Sequence, residues 1–365
     1  MTARESPHIA DILNSKETII SYEFFPPKTE PKLSELYTTI AELCANYKPQ
    51  FCSITWGAGG STVTNSFDAV NHIQTALGQT CIAHFTGLGM SPDIVNDYIE
   101  KFTSAGIRNI LALRGDKPHT SERMAQLPAN GFKFASELVQ HIRSSPKGGG
   151  DHLGLLVAGC PEGHPESKSL AIDMDHLAVK VKLGADGIIT QFFFDNNSYD
   201  IFTNHLNSRN VHVPISVGIM PITKAKMVKR MVEMSGCSIP EPVQSAIVRY
   251  DSDNLSMEAW GIDYAIRQVE DLFKRGAKNF HFYTLNQFGP TSKIINALSF
   301  IHEQKVGAID CIHIPYREYC AFPDGELHEL LKVHGIDANQ PHDIVFNQAM
   351  QRYEISQKRS LRGLN

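Results

Sequence analysis

The chain has 365 residues, 42% hydrophobic and 20% charged, and its 34 Lys and Arg against 39 Asp and Glu give a net charge of −5. That balance fits a folded chain with a sizeable core and offers no basic footprint for nucleic acid. No apolar run reaches the ~18 residues of a membrane-spanning helix, so no membrane partner is expected. The most basic stretch, Lys224 to Arg230, reads as a solvated helix face.

Residues 1–17 mix charges with few apolar side chains and lack the apolar centre of a signal peptide. The seven cysteines, Cys44, Cys52, Cys81, Cys160, Cys237, Cys311 and Cys320, form no Cys-x-x-Cys pair and match no zinc spacing. Reduced thiols and a cytoplasmic setting are the expectation.

In chain order, β-rich runs fall at 18–25, 51–56, 81–86, 109–115, 153–159, 187–194, 213–219 and 279–286. Most are apolar almost throughout, as parallel strands covered on both faces are. Amphipathic segments separate them. The helix predicted over 92–107 opens with Ser91 as N-cap and Pro92 at its first position, and stops at Ala105-Gly106. A second, over 169–187, stops the same way at Gly184, and Gly276 repeats the punctuation. Residues 144–151, SSPKGGGD, read as a loop before the fifth strand. Eight such repeats predict an α/β fold, a (β/α)8 TIM barrel, over residues 1–304, with 305–365 as a C-terminal extension packing on it. A doubly wound sheet is the rival. The glycine clusters at Gly57 to Thr62 and at Gly87 to Gly89 both lack the third glycine of a dinucleotide fingerprint.

Polar residues gather where those strand runs end: Glu23, Thr55, His84, Arg114-Gly115-Asp116, Cys160, His164, Gln191, Thr284 and Asn286. Catalytic groups of such barrels lie at that end. Each residue also has a plainer reading. Glu23 can be one half of a structural ion pair in the barrel lumen, Arg114-Gly115-Asp116 a turn with a rim salt bridge, and His84 a satisfied core histidine. Gln191 can simply satisfy a backbone group. Lone His84 and His164 do not supply the clustered ligands of a metal-dependent hydrolase, so no metal is expected.

Six blocks then carry a resemblance. They are Tyr22-Glu23-Phe24-Phe25-Pro26-Pro27-Lys28, Thr55-Trp56-Gly57-Ala58-Gly59-Gly60-Ser61 and Leu113-Arg114-Gly115-Asp116-Lys117-Pro118, followed by Pro161-Glu162-Gly163-His164-Pro165-Glu166, Ile189-Thr190-Gln191-Phe192-Phe193-Phe194-Asp195 and His281-Phe282-Tyr283-Thr284-Leu285-Asn286. In this order, over residues 18–300, they resemble 5,10-methylenetetrahydrofolate reductase. The resemblance implies a flavin-binding barrel holding FAD, NADH or NADPH as reductant, and reduction of a methylene folate to 5-methyltetrahydrofolate in methionine supply. It also implies a homo-oligomer.

By motif position, Glu23 resembles the general acid and Asp116 a carboxylate that stabilises the developing cation. Both would touch the folate, with Gln191 on the pterin edge and Gln287 toward the tail. Phe24 and Phe25 are expected to raise the pKa of Glu23 by burying it. The FAD positions that carry over are Thr55, Ala58, His84, Arg114, Gly115, Asp116, Ala135, Cys160, His164, Ser167, Asp173, His176 and Lys180. Asp173, His176 and Lys180 are spaced to share a helix face. The resemblance gives Asp173 to the ribose hydroxyls and His176 and Lys180 to the diphosphate; on spacing alone the three read as a solvated stripe. Two departures stand out: Cys160 where some relatives have Tyr, and Gln287 where many have an Arg that would pair with the folate's benzoylglutamate end.

Overall fold

Eight short strands close into a parallel barrel in the computed structural model, in the order β1 to β8, with β8 returning to pair with β1. The structure describes residues 5–27, 29–56, 63–117, 120, 127–145 and 149–298, together with strands at 311–315, 342–347 and 352–357. The barrel strands are β1 (Ile19–Phe24), β2 (Phe51–Ile54), β3 (Cys81–Thr86), β4 (Asn109–Leu113), β5 (Gly154–Gly159), β6 (Gly187–Thr190), β7 (Ile215–Ile219) and β8 (Asn279–Tyr283). All eight predicted runs form strands, so the (β/α)8 expectation holds. Several strands stop short of their runs. In the sixth run the chain leaves the sheet after Thr190, where the Gln191 amide donates to the Gly159 carbonyl at 2.7 Å.

The helices α1 (Ile9–Leu13), α2 (Glu30–Tyr47), α3 (Val63–Ala76), α4 (Pro92–Ser104), α5 (Ala135–Ser144), α6 (Leu170–Lys182) and α7 (Asn197–Asn207) interleave with these strands. Ser91 caps α4 by accepting from the Ile94 amide, and Ser169 caps α6 through the Ile172 amide. Each hydroxyl satisfies a backbone donor that the helix leaves open. Gly106 and Gly184 take positive φ at the ends of these two helices, as their place in the sequence requires.

The chain divides into two compact units. The first, Met1–Met220 with Arg230–Pro240 and Asp271–Phe288, contains the barrel strands. The second comprises Pro221–Lys229, Glu241–Glu270 and Gly289–Asn365. Within the second unit Lys293 pairs with Glu258 at 3.0 Å, Trp260 stacks on Tyr264, and Gly261 lies so near Ile222 that an added Cβ would meet its carbonyl oxygen at 2.0 Å. Strands β9 (Cys311–Pro315), β10 (His342–Asn347) and β11 (Arg352–Gln357) form an antiparallel sheet in the order β10-β11-β9. The rest of the predicted extension, and its packing on the barrel, lie outside the described residues. No described helix is long and apolar enough to cross a membrane.

Side chains of a strand alternate between its faces, so one set on each strand points into the barrel. At the N-terminal end that inner set is apolar. Ile19, Phe51, Ile82, Leu111, Leu156 and Ile189 pack with Ile9 and Leu13 of α1, which plugs the barrel floor. The short helix is anchored by Asn109, fully buried at the start of β4. Its carboxamide accepts from the Ile9 amide at 2.8 Å and donates to the Pro7 carbonyl at 2.8 Å. Gly154 is obligatory beside it, since a Cβ there would lie 2.4 Å from Asn109 Oδ1 and 2.6 Å from Ile9. Asn109→Ala would strand the buried Ile9 amide and remove a partner from the Pro7 carbonyl, costing about 2 kcal/mol. Urea unfolding should show a lowered midpoint with an unchanged slope; a midpoint equal to wild type would show that the plug is anchored elsewhere.

Candidate active site

Above the apolar floor the inner set turns polar. Ser21 and Glu23 follow Ile19 on β1, Ser53 follows Phe51 on β2, His84 follows Ile82 on β3, and His281 and Tyr283 follow Asn279 on β8. Register places Glu23 opposite Ser53 on one side and Tyr283 on the other. Glu23 Oε2 lies 3.3 Å from His84 Nε2 and 3.4 Å from His281 Nε2. His281 Nδ1 lies 2.7 Å from Ser21 Oγ, and its Nε2 is also 3.4 Å from Ser53 Oγ. Phe51 stacks beneath the imidazole of His281.

This wiring gives His281 two useful forms. If the Ser21 hydroxyl donates to the Phe280 carbonyl, 3.2 Å away, it accepts from Nδ1–H, and Nε2 is left to accept a hydrogen bond from a protonated Glu23. If Ser21 donates to Nδ1 instead, Nε2–H donates to a Glu23 carboxylate. A neutral imidazole therefore partners either protonation state of the acid. His84 is different. Burial lowers its affinity for a proton against the opposing pull of Glu23, with His281 adding to the lowering. Its Nε2 approaches Glu23 outside hydrogen-bond geometry and is buried without a hydrogen bond.

The surroundings of Glu23 differ from the expectation. Phe24 points to the opposite face of the strand and Phe25 is 45% exposed, so neither encloses the carboxylate. Its setting is made by His84, His281 and Tyr283. Burial, then Glu23 and Cys160, push the Tyr283 phenol well above its usual range, and its hydroxyl donates to the Thr190 carbonyl at 2.8 Å. Gly218 on β7 leaves room for that ring, as a Cβ there would lie 2.7 Å from it.

The turn after β8 fixes the strand that carries Glu23. Thr284 Oγ1 donates to the Glu23 carbonyl at 2.6 Å. Asn286 closes a two-way clamp on Phe25, donating to its carbonyl at 2.8 Å and accepting from its amide at 3.0 Å. The price is two consecutive left-handed residues, Leu285 at φ 52° and Asn286 at φ 57°.

A second cluster sits after β4 and β5. Arg114 makes a bidentate pair with Glu166 at 2.8 and 2.9 Å, and Lys117 joins the same carboxylate at 2.5 Å. Those two cations hold the Glu166 carboxyl down at about 2. The His164 amide donates to Asp173 at 3.1 Å, and Lys180 Nζ donates to the Ala158 carbonyl at 2.6 Å. Burial lowers the proton affinity of Lys180 and pushes the Cys160 thiol up to about 12. Gly115, at φ 90°, has Thr86 where a Cβ would stand, 2.9 Å away, so the backbone between Arg114 and Asp116 is bare.

The other predicted residues are placed more loosely. Thr55 follows β2, its amide donating to the Phe24 carbonyl, and Ala135 opens α5, where Glu137 accepts from the Lys133 and Phe134 amides. Ser167 donates to the Ser169 carbonyl. Gln191 accepts from the neighbouring Phe192 amide, which is the plainer of its two readings. Gln287 is half-buried in the β8 turn; Asp116 and His176 are exposed. Ala58 lies outside the described residues. Sequence reasoning missed His281, Ser21, Ser53, Tyr283 and Glu166 as site residues. Alternation along β1, β2 and β8 was the available signal for the first four.

Protonation of His84 carries a sign that can be measured. Its folded-state proton affinity lies below that of an unfolded histidine, so between the two values the unfolded chain binds more protons and stability falls as pH falls. Unfolding midpoints compared at about pH 7.5 and about pH 5.5, on either side of the ordinary histidine value, should drop less in His84→Gln than in wild type. Equal drops would remove His84 as the cause.

Residues 8–299 match the family model described as methylenetetrahydrofolate reductase. A probable methylenetetrahydrofolate reductase (NADH) of Oryza sativa subsp. japonica is 36% identical over 298 residues, covering 79% of this chain and 49% of the relative. Methylenetetrahydrofolate reductase (NADH) 1 of Arabidopsis thaliana is 34% identical, covering 82% and 51%. The 5,10-methylenetetrahydrofolate reductase of Escherichia coli K12 is 33% identical over 268 residues, covering 73% and 86%. The chain thus spans about half the length of the plant relatives it matches. Among solved structures, an uncharacterised protein from Clostridium thermocellum, described as binding two copies of 5-methyl-5,6,7,8-tetrahydrofolic acid, has a TM-score of 0.57 at 15% identity and covers 81% of this chain and 99% of that one. That likeness concerns the fold alone. The matched span runs from the plug helix α1 past the turn that clamps β1, taking in the Glu23 cluster and the cationic rim, and the chain belongs to the methylenetetrahydrofolate reductase family.

Proposed function

We propose that the chain reduces 5,10-methylenetetrahydrofolate to 5-methyltetrahydrofolate, with FAD as cofactor and NADH or NADPH as electron donor. The observation that carries this reading is Glu23, a lumen carboxylate partnered by two imidazoles at the mouth of a barrel whose sequence belongs to this family. The donor set of the rim fits FAD. Arg114, Lys117, His164 and Lys180 offer cations and N–H groups to a diphosphate, Asp173 offers a carboxylate to ribose hydroxyls, and the bare backbone at Gly115 admits close approach. Thr55, Ala58, His84, Asp116, Ala135, Cys160, Ser167 and His176 complete the proposed cofactor set. Bound FAD supplies hydride transfer from the nicotinamide to the folate.

The protein's own groups do the rest. Glu23 delivers a proton to N10 of the imidazolidine ring, which opens to a 5-iminium cation at the methylene carbon. His281 in its accepting form orients the protonated Glu23, and in its donating form holds the carboxylate. His84, kept neutral by burial, stands beside Glu23 without adding a counter-charge. Asp116, on the loop after β4, stabilises the iminium charge, and the Gln191 carboxamide turns from the Phe192 amide to the pterin edge. Gln287 meets the folate tail without the charge an arginine would bring.

Glu23→Gln should keep its flavin and be reduced by the nicotinamide at a rate near wild type, yet lose folate reduction by at least about a hundredfold, the usual scale of a lost general acid. Stopped-flow measurement of the two half-reactions separates them, and equal losses in both would end the acid assignment. Asp116→Asn should impair mainly the folate half-reaction in the same experiment.

A further inference from the structure

The outer face of the barrel holds thiols that the folate chemistry leaves unused. Tyr22, Cys52 and Cys81 occupy one row across β1, β2 and β3, each paired in register with the next. Their neighbours Ser21, Ser53 and Ile82 belong to the inner set, so this row faces outward. Cys44, in the last turn of α2, comes down onto it, and its Sγ lies 3.7 Å from Cys52 Sγ. Two sulfurs at that separation are already in contact, and a disulfide needs them at about 2.05 Å. Lys48, Pro49 and Gln50 join α2 to β2, and Lys48 is left-handed at φ 44°, so only a short connection has to absorb the closure.

We propose that Cys44 and Cys52 form an oxidisable dithiol, a modification site for hydroperoxides, with Cys44 as the attacking thiol and Cys52 as the resolving one.

The roles follow from access. Cys44 is half-buried and open to a small oxidant, whereas Cys52 is fully buried behind it. The contact also divides the protons unequally. A hydrogen bond from Cys52 lowers the Cys44 thiol, while the same contact and burial raise Cys52. Cys81 is raised by burial, and burial pushes Cys160 up to about 12 and Cys237 up to about 11. In the first step the Cys44 thiolate displaces hydroxide from the peroxide and becomes a sulfenic acid. In the second, Cys52 sulfur attacks Cys44 sulfur and water leaves. Two thiols lose two electrons and two protons, one peroxide bond is reduced, and two waters form.

The test uses the full chain, reduced and then exposed to hydrogen peroxide. Remaining thiols are blocked with N-ethylmaleimide and located by intact mass and chymotryptic mapping, since a cut after Tyr47 separates the two cysteines. Expected are a loss of two hydrogen masses, no maleimide on Cys44 or Cys52, and recovery of both with dithiothreitol. Cys52→Ser should leave Cys44 as a sulfenic acid that dimedone labels, and Cys44→Ser should leave Cys52 reduced at the same dose. In the reduced wild type, iodoacetamide should label Cys44 at least about ten times faster than Cys160, the thiolate fraction outweighing lower nucleophilicity. A Cys52–Cys81 link, over-oxidised Cys44 beside a labelled Cys52, or oxidation of Cys160 before Cys44 would each overturn the proposal.

Discussion

A carboxylate on the inner wall of a parallel barrel has no water on most sides, and such a charge persists only if neighbouring strands bring it partners. Glu23 meets that condition through the seam between the first strand and the last. β8 supplies His281 to its carboxylate and the turn after it Thr284 to its carbonyl, while β3 supplies His84 from beyond β2. Ser21 and Ser53 then hold His281, and Gly218 makes space for the Tyr283 ring. Remove the seam and each later contact loses its reference point.

The lumen is graded along its axis. Ile19, Phe51, Ile82, Leu111, Leu156 and Ile189 make a dry floor under α1, the serines and His281 form a middle layer, and Glu23, His84 and Tyr283 form the mouth. A dry floor keeps bulk solvent from reaching the acid from below, so proton exchange with Glu23 is confined to its hydrogen-bond partners and to whatever enters from above. The rim beyond β4 and β5 has the opposite character. Its cations stand against one exposed carboxylate, Glu166, a partnership that solvent weakens and a bound anion can replace.

Much of this was readable in the sequence because barrel strands are short, apolar and regularly punctuated. The glycine stops and the Ser91 and Ser169 caps are local events, decided by residues within a few positions of one another. The polar residues at strand ends were visible for the same reason. What connected them was not. His281 and Ser21 are 260 positions apart, and nothing local marks them as partners; only the closed register brings them together. The same limit produced the mistaken surroundings for Glu23. Phe24 and Phe25 are its neighbours along the chain, but alternation turns one away and the loop exposes the other. Glu166 lies within a recognisable motif, yet its hold on Arg114 depends on the spacing of two rim loops, which no single segment encodes.

The Asn286 clamp on Phe25 joins residues 261 positions apart. During synthesis the segment bearing Glu23 leaves the ribosome before the other strands, and the residues that fix its direction leave only when most of the barrel has been made. A nascent chain holding seven strands therefore has its acid but lacks His281, Thr284 and the Asn286 clamp. The last contacts to Glu23 come only with closure of the cylinder, so a partly built barrel has little opportunity to act on a bound ligand before the fold is complete.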